Sequence, residues 1–154
     1  MKNLVKIAFV FALAVVVLAA CSKDQKCVNW LEGQWTISKI EVTDSNGVTV
    51  NVFDQFALLG GSISGTMDFT KYSVKNDENG NATTITVATV LGQTERDTTN
   101  FEYRIEDDCE TVWLKESGAS TGETSTIEEA SKSKMVFSSY DATDKETSRI
   151  TIEK

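Results

Sequence analysis

Leu31-Glu32-Gly33-Gln34-Trp35 opens the first stretch of the chain that reads as a strand, and nearly everything after it reads as more strands. Trp35 and Ile37 alternate with polar residues, as do Ile40 and Val42, but the apolar phase shifts across Ser38-Lys39. An extra residue there predicts a bulge in a strongly bent strand. Asp44-Ser45-Asn46-Gly47 follows, a turn centred on Asn-Gly, and Val48-Thr49-Val50-Asn51-Val52 resumes the period of two as a second strand. Just before the opening stretch, Cys27-Val28-Asn29-Trp30-Leu31 is too short for a helix of its own, and reads as a 3₁₀ turn or a lead-in packed on the domain.

Further along, Phe53, Phe56, Ala57 and Leu59 recur at helical spacing, which predicts a short helix over residues 54–59, ended by Gly60-Gly61 and serving as a lid or plug. Ile63, Gly65, Met67 and Phe69 alternate again. Residues 83–91 are dense in Thr, Val and Ile and read as a strand that the polar run 92–99 ends. Phe101-Glu102-Tyr103-Arg104-Ile105 and Thr111-Val112-Trp113-Leu114 pair as a hairpin about Glu106-Asp107-Asp108. Residues 117–133, rich in Ser, Thr, Gly and Glu, read as a mobile loop. Residues 134–140 and 148–153 are the last strands. About eight short strands with no long helix and no βαβ pattern predict an all-β domain, an antiparallel up-and-down barrel or a β-sandwich. Proline is absent, so the turns rest on Gly, Asn and Asp.

The chain begins with a targeting pattern that has to be set aside from the fold. Lys2 and Lys6 precede an unbroken apolar run over residues 7–18, shorter than the roughly 20 residues that span a bilayer. Leu18-Ala19-Ala20-Cys21 follows at once. It resembles the lipobox of bacterial lipoproteins, in which the cysteine thiol takes a diacylglyceryl group and becomes the first mature residue. By that resemblance residues 1–20 are a signal peptide, Cys21 carries lipid, and residues 21–26 are a polar tether to a domain spanning 27–154. The alternative is an ordinary secretory signal or an uncleaved anchor. Two or three acyl chains on one cysteine hold a protein where a single chain, at about 0.8 kcal/mol per buried methylene, does so only marginally. Ser22 rather than aspartate follows the cysteine, which in enterobacterial lipoproteins favours the outer membrane, on its periplasmic face or at the cell surface.

With Cys21 lipidated, Cys27 and Cys109 remain as a natural pair in a compartment that permits disulfides, the alternative being two free buried thiols. Such a bond closes a loop of 82 residues, worth on the order of 4 kcal/mol in the chain-entropy model.

Gly33-Gln34-Trp35, with Leu31 just before it, is similar to the Gly-x-Trp signature of the lipocalins and wider calycin barrels, and together with the lipobox it resembles the small lipocalin-like lipoproteins of Bacteroidetes. The resemblance implies an eight-stranded barrel whose base Trp35 closes, with Arg149 laid across the indole, a stack worth ~0.5 to 2 kcal/mol. It also implies a small hydrophobic ligand inside. The second conserved motif of that family and its post-barrel helix have no counterpart in this sequence, and Trp35 reads equally as a core tryptophan of any β fold.

Removing residues 1–20 leaves 134 residues with 13 basic and 23 acidic side chains, a balance of −10 that offers no footprint for nucleic acid. Histidine is absent, which removes His-based triads and the commonest general base, so the expectation is a protein without catalytic residues or cofactor. Glu106-Asp107-Asp108 with Glu110 reads as a solvated turn. Asp77-Glu78-Asn79-Gly80-Asn81 offers oxygens for calcium, but its spacing does not fit an EF-hand loop, and no metal site is expected. The aromatic set Phe53, Phe56, Phe69, Tyr72, Phe101, Tyr103, Trp113 and Phe137 suffices to fill such a barrel or to line a pocket in it. A ligand carrier and a filled domain that meets protein or glycan through its loops, residues 117–133 first, are the two functional expectations.

Cys21→Ala is expected to remove the lipid mass from the natively purified protein and to move it from the membrane to the soluble fraction. A variant that stays membrane-bound with its lipid mass intact overturns the lipobox reading.

Overall fold

The computed structural model describes residues 22–76 and 78–154. The signal peptide expected over residues 1–20, the lipidation expected at Cys21 and the Asp77 member of the calcium-like run therefore lie outside the described residues. Nine antiparallel strands form one sheet in the order β2-β1-β3-β4-β5-β6-β7-β8-β9: β1 Gly33–Thr43, β2 Thr49–Asn51, β3 Ser62–Phe69, β4 Gly80–Val90, β5 Gln93–Glu106, β6 Thr111–Glu116, β7 Glu123–Ala130, β8 Lys134–Asp141 and β9 Glu146–Glu153. β1 also pairs with β9, from Thr36↔Glu153 to Thr43↔Thr147, so the sheet closes on itself. β2 is a three-residue ribbon beside the end of β1, and the other eight strands make a closed up-and-down barrel. The expected barrel is present, and the sandwich is not.

The phase shift at Ser38-Lys39 is a bulge in the β1–β9 ladder between Ile37 and Lys39. It keeps Trp35, Ile37, Ile40 and Val42 on the same inner face. β1 pairs with β3 only from Gly33 to Thr36, and beyond that point a second helix leans on both strands. This helix, α2 (Val52–Leu58), is capped by the Asn51 side chain accepting from Phe53 N–H. None of its residues is fully buried, but Phe53 packs against the hydrophobic core, so the helix covers the seam between β1 and β3.

Residues 23–31 correct the sequence reading. The segment taken as tether and lead-in is a nine-residue α-helix, α1 (Lys23–Leu31). Ser22 caps it by accepting from Gln25 N–H at 3.1 Å, Asp24 suits the positive end of the dipole, and Cys27, Val28 and Leu31 form its buried face. The helix is fastened to two loops of the barrel base. Gln25 donates to Tyr72 O at 3.2 Å and accepts from Val74 N–H at 3.0 Å. Asp24 accepts from Cys109 N–H at 2.7 Å, and Cys27 is disulfide-bonded to Cys109. That last pair of contacts steadies an unusual turn in which Asp107, Asp108 and Cys109 all have positive φ, a conformation that costs non-glycine residues roughly 1–2 kcal/mol each.

Under the helix lies Trp35, 1 % exposed. Its indole Nε1–H donates to Leu31 O at 2.6 Å. The cation over its ring is Lys154, with Nζ 4.6 Å from the centroid, and the same ammonium donates to Trp30 O and Glu32 O at 3.0 and 2.8 Å. Lys154 thus satisfies carbonyls at the helix C-terminus while it covers the indole. Arg149 does not take that place. It stands on the outer face of β9, where Nε donates to Glu128 at 2.6 Å and Nη1 to Glu41 at 3.2 Å. The expected stack on Trp35 fails for a geometric reason: Ile150 and Ile152 point inward, so residue 149 must point out.

Gly33 is required at the entry to β1 by its φ of +98°. Gly80 is required by approach, since a Cβ there would meet the rings of Tyr103 and Tyr72. Those two rings and Phe69 stack edge to face at 5.2 Å, Tyr103 OH donates to Thr70 O, and Tyr72 Oη accepts from Ile105 N–H. Burial pushes both phenols above their ordinary pKa. Two further expectations are corrected: residues 93–99 are strand, the first half of β5 after a turn at Leu91-Gly92, and most of 117–133 is β7 rather than loop, with 117–122 the connection that remains.

A double-mutant cycle of Trp35→Phe and Lys154→Ala, read by chemical denaturation, is expected to show a coupling of about 0.5–1 kcal/mol. The cycle of Trp35→Phe with Arg149→Ala is expected to show none. Cys27→Ser with Cys109→Ser is expected to lower stability by about 2–4 kcal/mol.

Candidate functional site

The ladder registers around the barrel, with bulges at Ile37/Lys39 and Ile127/Glu129, fix which residues face inward. Trp35 pairs with Met67, Met67 with Thr84, Thr84 with Thr99, and the same parity runs on through Phe101, Tyr103, Leu114, Ser125, Phe137 and Ile150. Along the barrel axis the inner face changes character. At the α1 end it is packed with Leu31, Trp35, Tyr103, Ile105, Val112, Met135 and Ile152, all 2 % exposed or less. Toward the other end the wall is mixed: Ile40, Val42, Ile63, Ala88 and Val90 face inward on β1, β3 and β4, whereas the rest of the ring presents Thr84, Thr86, Thr99, Ser139 and Ser148, and then Glu95, Asp97, Glu116, Glu123, Asp141 and Glu146. The domain is a cup, with a filled base and a wet upper half.

Where the two halves meet, an apolar cavity of about 60 Å³ is walled by Met67, Phe69, Val112, Leu114, Phe137 and Ile150, with Ser125 the one polar member. Leu114 and Ser125 also belong to the recess above it, about 330 Å³, which runs between Phe101, Glu116, Ala119, Thr121 and Glu123 to the mouth. A second open groove of about 530 Å³ continues from Glu123 past Ser139, Asp141 and Ser148. The cavity alone is far below the roughly 300–1,000 Å³ of ordinary ligand sites; cavity and recess together reach that range. The rim carries exposed apolar side chains. Val48, Leu58, Leu59, Leu91 and Tyr140 are the large exposed hydrophobic residues, and all five lie in the turns, helix or strand end at the mouth.

Of the residues singled out in the sequence, Cys27, Cys109, Gly33 and Trp35 gather at the base, opposite the mouth, where they close the barrel. Arg149 is on the outer wall in the Glu41–Arg149–Glu128 triad. Trp113, counted among pocket or core aromatics, also faces outward, where the Arg104 guanidinium lies 5.2 Å from its ring. Two clefts of about 570 Å³ beside α1 are open to solvent, one mostly polar and lined by residues such as Asp24, Glu78, Arg104 and Glu106, the other lined by Gln25, Asn29, Lys71 and Tyr72. Among the described residues no group of three or more Cys, Asp or Glu is placed to hold a metal ion, and no helix is long and apolar enough to cross a membrane. The inward carboxylates of the mouth escaped the sequence reading, although strand parity from Phe101 and Leu114 reaches Asp97 and Glu116 directly.

The triad's carboxyls are displaced. Hydrogen bonding by Lys39 first, and then Arg149, lowers the Glu41 pKa, and the Arg149 hydrogen bond lowers that of Glu128. The Asp141 carboxyl is lowered by the Thr143 and Asp144 amides it accepts from, which marks it as a turn-holding residue of the mouth.

No protein-family model matches the chain, and no curated protein matches it. Solved structures similar to it are designed β-barrels. A redesigned barrel is 11 % identical, with 83 % of this chain and 94 % of that one covered at a TM-score of 0.48. A redesigned barrel bound to DFHBI is 14 % identical, with 83 % and 98 % covered at 0.44. A de novo designed fluorescence-activating barrel is 10 % identical, with 83 % and 97 % covered at 0.43. The closed barrel rests on the chain's own β1–β9 pairing.

Because Glu41 and Glu128 titrate below the ordinary glutamate value of 4.5, the triad stabilises the fold above that pH and loses its contribution as pH falls through the lowered values. Arg149→Met is expected to flatten the dependence of melting temperature on pH across this acid limb, measured by thermal scans against the parent protein. An unchanged slope would show that the triad contributes nothing.

Proposed function

We propose that the protein is a non-catalytic lipoprotein of the bacterial cell envelope that holds a small hydrophobic or amphiphilic molecule in the upper half of its barrel. The observation that carries the reading is the apolar cavity under the mouth, which shares Leu114 and Ser125 as walls with a recess open to solvent. A closed barrel that served only as a folded support would gain by filling that level with side chains, since each buried methylene contributes about 0.8 kcal/mol. Anchoring fits the same geometry. Only Ser22 separates Cys21 from α1, and α1 lies across the base. A lipid on Cys21 would bring the base to the membrane, and outer-membrane residence follows from Ser22 at the next position. The mouth then points away from that surface, free to exchange ligand.

A second reading has its own support. The exposed Val48, Leu58, Leu59, Leu91 and Tyr140 around the mouth would suit a protein partner, and contacts of this kind mark interaction surfaces when they are contiguous. The connection at residues 117–122 and the α2 segment then replace 117–133 as the contact elements.

A solvatochromic apolar probe separates the two. Ser125→Leu fills the small cavity with aliphatic carbon; it is expected to raise the melting temperature and to weaken probe binding by about tenfold, or 1.4 kcal/mol. Mass spectrometry of the natively purified protein reports any co-purified ligand together with the mass on Cys21. No probe uptake by the parent protein and no effect of Ser125→Leu would leave the partner-binding reading.

A further inference from the structure

We infer that the cup selects an amphiphile with a positively charged head, a primary amine or quaternary ammonium on an apolar tail, and disfavours anionic lipids such as fatty acids. The inference rests on the cup being a ligand site and names the class of molecule it takes.

Strand parity carries the argument. Of the charged side chains at inward strand positions, Glu95, Asp97, Glu116, Glu123, Asp141 and Glu146 are all acidic. The basic side chains of the same strands, Arg96, Arg104, Lys115, Lys134 and Arg149, all hold outward positions, paired across the ladders with Val87, Trp113, Glu102, Glu153 and Ser138. Lys145 lies outside the strands, in the β8–β9 turn. Among the described residues none of the six inward carboxylates enters an ion pair, whereas outward Glu41, Glu102, Glu106, Glu128 and Glu129 do and outward Asp68 and Glu153 do not. Asp141 has a structural duty in its turn, and Asp97 accepts from Thr99 Oγ1; Glu116 and Glu123 have no such role and stand on the walls of the recess itself.

Below those two glutamates the surface turns apolar at Phe101, Leu114 and the small cavity. The depth order is therefore carboxylates at the mouth and hydrocarbon at the floor. Like charges facing one another around a mouth repel, and nothing on the inner wall of this chain offsets them. A cation entering head-last, tail on the floor, would supply the missing charge between Glu116 and Glu123. An anionic head would meet only repulsion there.

The test titrates the full mature protein by calorimetry with three probes of one tail length, dodecyltrimethylammonium, dodecanol and dodecanoate, each kept below its micellar concentration. The cation is expected to bind about tenfold or more tighter than dodecanoate, with dodecanol between them, and the spread should shrink in high salt. Glu116→Gln with Glu123→Gln should bring the cation to the level of dodecanol. Glu110→Gln with Glu153→Gln, which removes the same net charge from the base end, should not. Dodecanoate binding as well as the cation overturns the charge selection and leaves the cup a ligand site. Equal loss in both double variants also overturns it, by showing attraction to net charge alone. Binding of none of the three overturns the ligand-site reading itself.

Discussion

Everything in this domain hangs on how the barrel is shut at one end. Trp35 is held from both sides: its N–H is taken by Leu31 O, and its ring is covered by an ammonium that also closes the carbonyl end of α1. That arrangement couples four pieces far apart in sequence, the capping helix, the start of β1, the disulfide turn at Cys109 and the end of the chain at Lys154. The helix is too short to be stable alone in water. It persists because Ser22 caps it, Cys27 ties it to the β5–β6 turn, and Val28 and Leu31 are wholly buried beneath it. The contribution of Lys154 is local and electrostatic, whereas the burial of Leu31 and Trp35 is the larger stabilising part.

A barrel fastened so firmly at its base does not need a packed interior throughout. The fully buried side chains belong to the base and the middle layer, and above them the strands stay registered by their backbone ladders, β4 with β5 over eleven consecutive pairs from Gly80↔Tyr103 to Val90↔Gln93. Backbone pairing is indifferent to which side chains face the lumen. The upper inward positions are thus released from core duty, and this is the structural reason that carboxylates stand there at so little cost to folding.

The same division explains which parts of the fold could be read from the sequence. Hydrophobic alternation reports a strand only where one face is dry. β1 with its bulge, β3 and the second half of β5 line the packed base or middle, and their period of two was plain. Residues 93–99 and most of 117–133 were misread because their inward faces look onto water; in β7 only Ile127 is buried, so the alternation that would reveal the strand is absent. α1 was missed for a different reason. Its cap, Ser22 with Gln25 three residues on, is a capping-box pattern, but it fell inside a segment assigned to the tether. Arg149 was assigned by its distance from the chain's end, where the parity set by Ile150 and Ile152 would have turned it outward.

Parity, then, is the more informative reading for a barrel of this kind. Composition gives a net acidic chain and suggests solubility and nothing more. Once the registers are known, the same carboxylates divide into two populations with different surroundings. Most of those on the outer wall are balanced by a Lys or Arg of the same or a neighbouring strand, as in Glu41 with Lys39 and Arg149, and they serve the wall. Those on the inner wall have no basic neighbour at inward positions on any strand of the ring. Charge that is mostly compensated outside and left uncompensated inside, above an apolar floor, is a property of the lumen rather than of the surface, and it ties the acidity of this chain to what its cup can hold.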